Sequence, residues 1–231
     1  MDTLNLIRQS SLFQNITPQL QETALSLGIQ RSVEESGYFF MQGDPAAHAY
    51  VLLSGRVKML QVTPNGQQIT LRIMTPGQTY GGVALLNPAD GYPASAQAAE
   101  NSTALAWNTD TLRGLVARDP AISLNIMQLM HGYIQELQER QSALTSERVE
   151  QRIARTLLKL AAQIGKKVEQ GVLIDMPLTR QDIAEMTGTT LFTVSRTLNI
   201  WERQGLLEIG RERVLISDPH ALVRIADDLL K

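Results

Sequence analysis

The run over residues 179–217, TRQDIAEMTGTTLFTVSRTLNIWERQGLLEIGRERVLIS, leaves fewer folds open than any other part of the chain. Thr179 and Asp182 have the spacing of a capping box: the hydroxyl accepts from the backbone ahead, the carboxylate reaches back, and an acidic group suits the positive end of a helix. Ile183, Ala184 and Met186 give that helix a packing side, and Gly188 ends it where a left-handed backbone is needed. A second helix is predicted over residues 191–204, stopping at Gly205. On a helical period Leu191, Val194, Leu198 and Trp201 form a packing stripe, whereas Phe192, Ser195, Arg196, Asn199 and Arg203 face outward.

Taken alone, an outward polar stripe is also what a solvated amphipathic helix shows. The sequel separates the two readings. Residues 206–209 and 213–216 read as short strands, joined by a Gly210-Arg211-Glu212 turn with arginines beside it. Two short helices, a glycine turn and an arginine-tipped hairpin make a winged helix-turn-helix, which suits a major groove flanked by phosphates. Double-stranded DNA is the partner this predicts.

At 231 residues the chain exceeds the usual single domain, so two domains are expected, each with its own core. A net charge of −2 excludes a broadly basic nucleic-acid coat. Residues 149–231 hold 12 Lys plus Arg against 11 Asp plus Glu, so the DNA argument rests on the placement of arginines and not on bulk charge. The absence of cysteine excludes disulfides, iron–sulfur clusters held by thiolates and thiol nucleophiles. The first residues lack the basic start and apolar core of a signal peptide, and no run approaches ~18 apolar residues, so a cytoplasmic protein with no membrane partner is expected. There is no Gly-rich phosphate loop ending in Lys-Ser or Lys-Thr, no His-Glu-x-x-His and no Gly-x-Ser-x-Gly. The three histidines, His48, His131 and His220, are scattered, giving a zinc site or catalytic triad little to draw on, and the chain does not read as an enzyme.

The first half reads as sheet. From Gly37 onward, turn signals recur at Gly43, Gly55, Asn65-Gly66 and Pro76-Gly77, with strand-like runs at 50–53, 56–62 and 68–74. That spacing predicts an all-β sandwich or barrel. Residues 3–29 read as helical, with Thr17-Pro18 a helix start. Between the halves, residues 119–146 form a long helix in which Met127, Met130, Ile134, Leu137, Gln141 and Leu144 are spaced 3, 4, 3, 4 and 3. A helix packed on its own barrel is the alternative, but strict 3,4 alternation is narrower than most core faces. The seam predicts a parallel two-stranded coiled coil, and hence a homodimer with the two-fold symmetry needed to grip two half-sites.

In order and content the chain resembles the Crp/Fnr family of bacterial transcription regulators over essentially its whole length. The matching pieces are GDPAAHAYVLLSGRVKML at 43–60, PNGQQITLRIMTPGQTYGG at 64–82, the long helix, RIARTLLKLA at 152–161 and the helix-turn-helix. The resemblance implies an α+β fold: a cyclic-nucleotide-binding-like β-roll (jelly roll) with N-terminal helices over 1–118, a dimerisation helix over 119–147, and a C-terminal winged helix-turn-helix over 148–231. It further implies an effector-responsive regulator that binds a pseudo-palindromic site as a homodimer, with a small-molecule or gas effector and, in an activator, RNA polymerase as a partner. The alternatives are a β-roll protein acting through protein contacts and a true cyclic-nucleotide-dependent regulator.

The effector is where this chain departs from its kin. Members that bind cyclic AMP resemble one another in a Gly-Glu pair followed by Arg-Ser or Arg-Thr, the Glu holding the ribose and the Arg the cyclic phosphate. Gly81-Gly82 and Tyr92-Pro93-Ala94 stand there instead. Residues 74–107 contain no Lys or Arg, and burying an unpaired phosphate costs several kcal/mol, so cyclic AMP is not the expected ligand. The resemblance places Met74, Tyr80, Gly81, Gly82, Val83, Tyr92 and Pro93, with Met127, Met130 and Ile134 of the long helix, at an apolar effector pocket carrying two phenols. Such a pocket suits haem or another uncharged or aromatic ligand. Likeness to cysteine-free relatives that sense nitric oxide through haem makes haem the leading expectation, with His131 the candidate ligand and His48 and His220 surface residues.

In the family the second helix of the motif carries a Glu with Ser or Gly and then Arg one turn on. Ser195 and Arg196 match, and Phe192 stands at the Glu position. Arg196 is suited to fork onto guanine, while Phe192 can contact a thymine methyl but cannot accept from cytosine; its alternative is to pack beside the wing. Arg180, Thr190, Arg211 and Arg213 are the phosphate candidates, and Thr193, Ser195 and Asn199 complete the DNA-facing set.

Overall fold

The computed structural model describes residues 3–82 and 91–228. The chain divides into two compact units, Met1–Glu136 and Leu137–Lys231.

The first unit opens with two helices, α1 (Thr3–Gln9) and α2 (Pro18–Leu27), the second beginning at the Thr17-Pro18 start expected from the sequence. The break between them is local: the Ser10 hydroxyl donates back to the Ile7 carbonyl, and Asn15 takes a left-handed φ of 60°. Thr17 then caps α2 by accepting from the Leu20 amide, with Pro18 at its first position. Gly28 ends α2 where an added Cβ would lie 2.5 Å from the Leu105 side chain, and the chain leaves directly as a strand.

Among the described residues eight strands follow: β1 (Ile29–Val33), β2 (Tyr38–Phe40), β3 (His48–Ser54), β4 (Val57–Val62), β5 (Gln68–Met74), β6 (Thr79–Tyr80), β7 (Ser95–Ala98) and β8 (Ser102–Asn108). They form two antiparallel four-stranded sheets, ordered β1-β8-β3-β6 and β2-β7-β4-β5. The hairpin between β4 and β5 turns through Asn65-Gly66, with Gly66 at φ 80°. Strands β3 and β8 at the middle of the first sheet are buried on both faces, and their alternation sorts two cores. Ala49 and Val51 of β3 and Leu105 and Trp107 of β8 meet the helices. Tyr50, Leu52, Ala104 and Ala106 point into the roll, where the small alanines leave room for an aromatic cluster. Helix α3 (Thr109–Arg118) and the first part of α4 (Ala121–Ser146) close the helical side. Two buried side chains pin that layer by hydrogen bonds: Trp107 Nε1 donates to the Ala24 carbonyl at 2.7 Å, and Asn125 donates to the carbonyls of Leu12 and Gln14.

The second unit takes the rest of α4, then α5 (Val149–Ile164), β9 (Gly165–Val168), β10 (Gly171–Ile174), α6 (Arg180–Thr187), α7 (Leu191–Arg203), β11 (Leu207–Gly210), β12 (Arg213–Ile216) and α8 (Pro219–Ala226). Ile153, Ala154, Leu157, Leu160 and Ile164 form the buried face of α5. The wing is more than a hairpin, since β11 and β12 continue through β10 to β9 as one antiparallel sheet. This is the α+β architecture expected, a β-roll followed by a winged helix-turn-helix.

Candidate nucleic-acid interface and ligand cavity

The helix-turn-helix is fixed by its caps. Thr179 and Asp182 form the reciprocal capping box at the start of α6, and Asp182 also accepts from the Thr179 hydroxyl at 2.7 Å. Gly188 follows α6 in the left-handed conformation, φ 62° and ψ 42°, and an added Cβ would lie 2.7 Å from Leu144 Cδ2. Gly188→Ala should therefore destabilise the second unit by about 1–2 kcal/mol, measured by denaturant unfolding, because the left-handed cost falls on the turn itself.

Val194, Leu198 and Trp201 bury the inner face of α7, joined by Thr197; Leu191 departs from its expected packing role and is 48% exposed. Met186 of α6 is likewise half-buried, and Asp182 and Thr187 are the residues buried beside Ile183 and Ala184. On the outer face Phe192 is 76% exposed, so in the free protein it does not pack beside the wing. Arg196 and Asn199 are exposed next to it, with Thr193 and Ser195 half-buried. Arg180 donates to the Asn199 side chain at 3.0 Å, tying the first residue of α6 to this face. The Thr190 hydroxyl is engaged as the cap of α7, accepting from the Thr193 amide at 3.2 Å.

Hydrogen bonds tie the wing to α7 and to the segment that precedes α6. Ile209 donates to the Glu202 carboxylate at 3.0 Å, and Leu178 donates to the Glu212 carbonyl at 3.0 Å. Arg211 and Glu212 form the two-residue tip between the paired Gly210 and Arg213, with Glu212 at φ 55°. Arg211 and Arg213 are both exposed. A groove of about 450 Å³ between α6, α7 and the wing is lined by Arg180, Gln181, Leu191 and Arg211 among others. Gln181 is the residue sequence reasoning missed here; its place beside Arg180 in the first turn of α6 was the available signal.

A second concavity, about 290 Å³, lies in the β-roll. Tyr80, Gly81, Gly82, Tyr92, Pro93 and Met130 of the expected set line it. Met74 does not: it is buried in the roll core, off the lining. Val83 lies outside the described residues. Met127 and Ile134, placed at the pocket from sequence, are exposed on α4 instead, at 62% and 49%, and the helix presents Ile126, Leu129, Met130 and Tyr133 to the cavity. The helical period accounts for this correction: the cavity face and the seam are adjacent stripes that share Met130. Leu137, Gln141 and Leu144 are exposed with Met127 and Ile134.

The lining also contains a cation that the sequence window beginning at Met74 excluded. Arg72 of β5 borders the cavity, pairs with Glu136 of α4 at 3.4 Å and lies 5.3 Å from the centre of the Tyr133 ring. Deeper in, Phe40 stacks on Tyr92 at 3.7 Å and Tyr50 on Tyr80 at 5.2 Å between ring centres. Burial pushes the Tyr80, Tyr50 and Tyr92 phenols up from the ordinary tyrosine range, so they stay protonated. The Tyr92 hydroxyl is satisfied, donating to the His48 carbonyl at 2.7 Å and accepting from its amide. Burial, with Arg31 second, lowers the pKa of His48, keeping that ring neutral. The hydroxyls of Tyr80 and Thr79 are buried with no hydrogen-bond partner.

Gly81 is required as glycine, at φ 71° with an added Cβ 2.9 Å from the His48 carbonyl; Gly82 has open space at the same test. Among the described residues the lining offers haem no imidazole: His131 is exposed and absent from it, the donors present are the thioethers of Met59 and Met130 and buried phenols, and a phenol ligates iron as the phenolate that burial opposes. Among the described residues no group of three or more His, Asp or Glu could hold a metal ion, and no helix is long and apolar enough to cross a membrane.

Comparison with known proteins agrees with both halves. Residues 30–119 match the cyclic nucleotide-binding domain model, and residues 151–225 match the Crp-like helix-turn-helix domain model. The chain is 27% identical to the CRP-like cAMP-activated global transcriptional regulator of Mycobacterium tuberculosis, over 96% of this chain and 98% of that protein. It is 28% identical to the cyclic AMP receptor protein of Thermus thermophilus, over 95% of this chain and 98% of that one. A crystal structure of a CRP-family transcriptional regulator from Thermus thermophilus superposes with a TM-score of 0.73 at 25% identity, covering 85% of this chain and 96% of the other. The chain thus carries a cyclic nucleotide-binding domain followed by a Crp-like helix-turn-helix domain, the pair of domains of the Crp/Fnr transcription regulators it is similar to.

Proposed function

We propose that this protein is an effector-responsive homodimer that binds a pseudo-palindromic DNA site, with residues 1–118 as sensor, 119–147 as dimerisation helix and 148–231 as DNA reader. The observation that carries the reading is the outer face of α7: Phe192 and Arg196 stand exposed on a helix whose other side is locked by Val194, Leu198 and Trp201. A rigid helix with an exposed aromatic and a guanidinium is suited to base edges, and the Arg211–Arg213 wing to the phosphates beside them. The exposed apolar stripe of α4 supports pairing through that helix, and two copies then present two α7 faces on one side of a duplex. Effector binding in the roll, which α4 helps to line, would act by biasing the packing of the paired helices. RNA polymerase is the further partner if the protein activates.

Cyclic AMP is not the natural ligand in this reading, although relatives carry it in their names. Glycine with open space stands where the resemblance puts the ribose-binding carboxylate, and Tyr92-Pro93-Ala94 stands where it puts the phosphate-binding Arg.

Selection of bound duplexes from a random pool tests the function. Enrichment of one two-fold symmetric motif with half-sites about 10 base pairs apart is expected; recovery of no motif would overturn it. Arg211→Ala should weaken every DNA sequence alike and lower the slope of log affinity against log salt by about one, as one lost phosphate contact does, read by titration across salt concentrations.

A further inference from the structure

The lining of the β-roll cavity is mostly apolar and aromatic, with Arg72 its one cation among the described residues; the buried hydroxyls of Tyr80 and Thr79 have no surface open to it. Its walls include Phe40 stacked on Tyr92, with Met59 and Met130 as adaptable thioethers, surfaces suited to a flat ring. The volume, about 290 Å³, is at the small end for ligand sites and excludes a bulky occupant. Arg72 offers a planar fork, the geometry that meets a carboxylate through two parallel bonds, and its present partner is itself a carboxylate, Glu136, at 3.4 Å. That pair is only partly exposed, its side chains at 36% and 41%, and it joins β5 to the helix that carries the apolar seam.

We propose that the cavity takes a small aromatic carboxylic acid, the ring among Phe40, Tyr80 and Tyr92 and the carboxylate on Arg72, where it replaces Glu136 and frees α4 from the strand. The cavity thereby senses an anion and hands the displaced charge to the dimerisation helix. This inference deepens the effector role proposed above. Its test reads binding without DNA, so failure here leaves the DNA-binding reading standing.

The test is calorimetry on the full chain with benzoate, phenylacetate and 2-naphthoate, each beside its primary amide. At least one acid is expected to bind more tightly than its amide. Arg72→Gln, a change at a half-exposed strand position, should weaken that acid by about tenfold or more, the loss of a hydrogen bond to a charged group, and leave the amide unchanged. Glu136→Gln should strengthen the acid by removing its competitor, an effect that a merely structural ion pair would not give. The proposal is overturned if none of the six compounds binds, if amides bind as well as acids, or if Arg72→Gln leaves the preference for the acid intact.

Discussion

Ile134→Glu should convert the protein to a monomer while leaving each chain folded. Ile134 is 49% exposed in the single chain, so a carboxylate there meets water and costs the protomer little. In the paired state the same change removes apolar burial from both copies and brings two like charges together at the seam. Taken together these cost about 4 kcal/mol or more, roughly a thousandfold in the dimer dissociation constant. Sedimentation should show the monomer at concentrations where the parent is dimeric, with an unchanged circular dichroism spectrum. Gln141→Leu should act in the opposite sense, because a polar residue on an apolar seam weakens it in exchange for register. A variant at Ile134 that stays dimeric with parental affinity would remove α4 from the interface.

Changing the α7 face should alter both affinity and base preference. Arg196→Ala is expected to cost about 1–3 kcal/mol per half-site, so a symmetric site with two half-sites loses on the order of a hundredfold or more, with relaxed preference at one base pair in each half. Phe192→Glu should move the preference at a different base pair from A·T toward C·G, since a carboxylate accepts from cytosine where a phenyl ring touches only the thymine methyl. Phe192 is 76% exposed and makes no packing contribution that would confound the result. Titrations against sites varied at one position at a time check both. Unchanged base preference in Phe192→Glu would take that side chain out of the readout.

The winged helix-turn-helix was legible because its signals are local. The Thr179–Asp182 box, Gly188 and the Val194–Leu198–Trp201 spacing each act within a turn or two of chain, and each is found where the sequence puts it. The pocket was harder to read, because its walls come from distant segments. Arg72 stands on β5, and what brings it to Glu136 is the pairing of the roll and the packing of α4, neither of which is visible as a motif. Helix α4 misled for a different reason. It is apolar on two adjoining stripes, and hydropathy does not say that Ile126, Leu129 and Tyr133 face the roll while Met127 and Ile134 face out. The β9–β10 hairpin escaped notice because Gly165-Lys166-Lys167-Val168 is an exposed edge strand, and lysine on an edge reads as loop.

The central claim is that two copies set their α7 faces into successive grooves on one side of a duplex. The most direct measurement is affinity for the selected symmetric site compared with the same two half-sites moved apart by about five base pairs, half a helical turn. The account predicts that the shifted site falls toward non-specific binding, about a thousandfold or more weaker, since the second copy then faces the wrong side of the helix. Equal affinity for the two sites would contradict it.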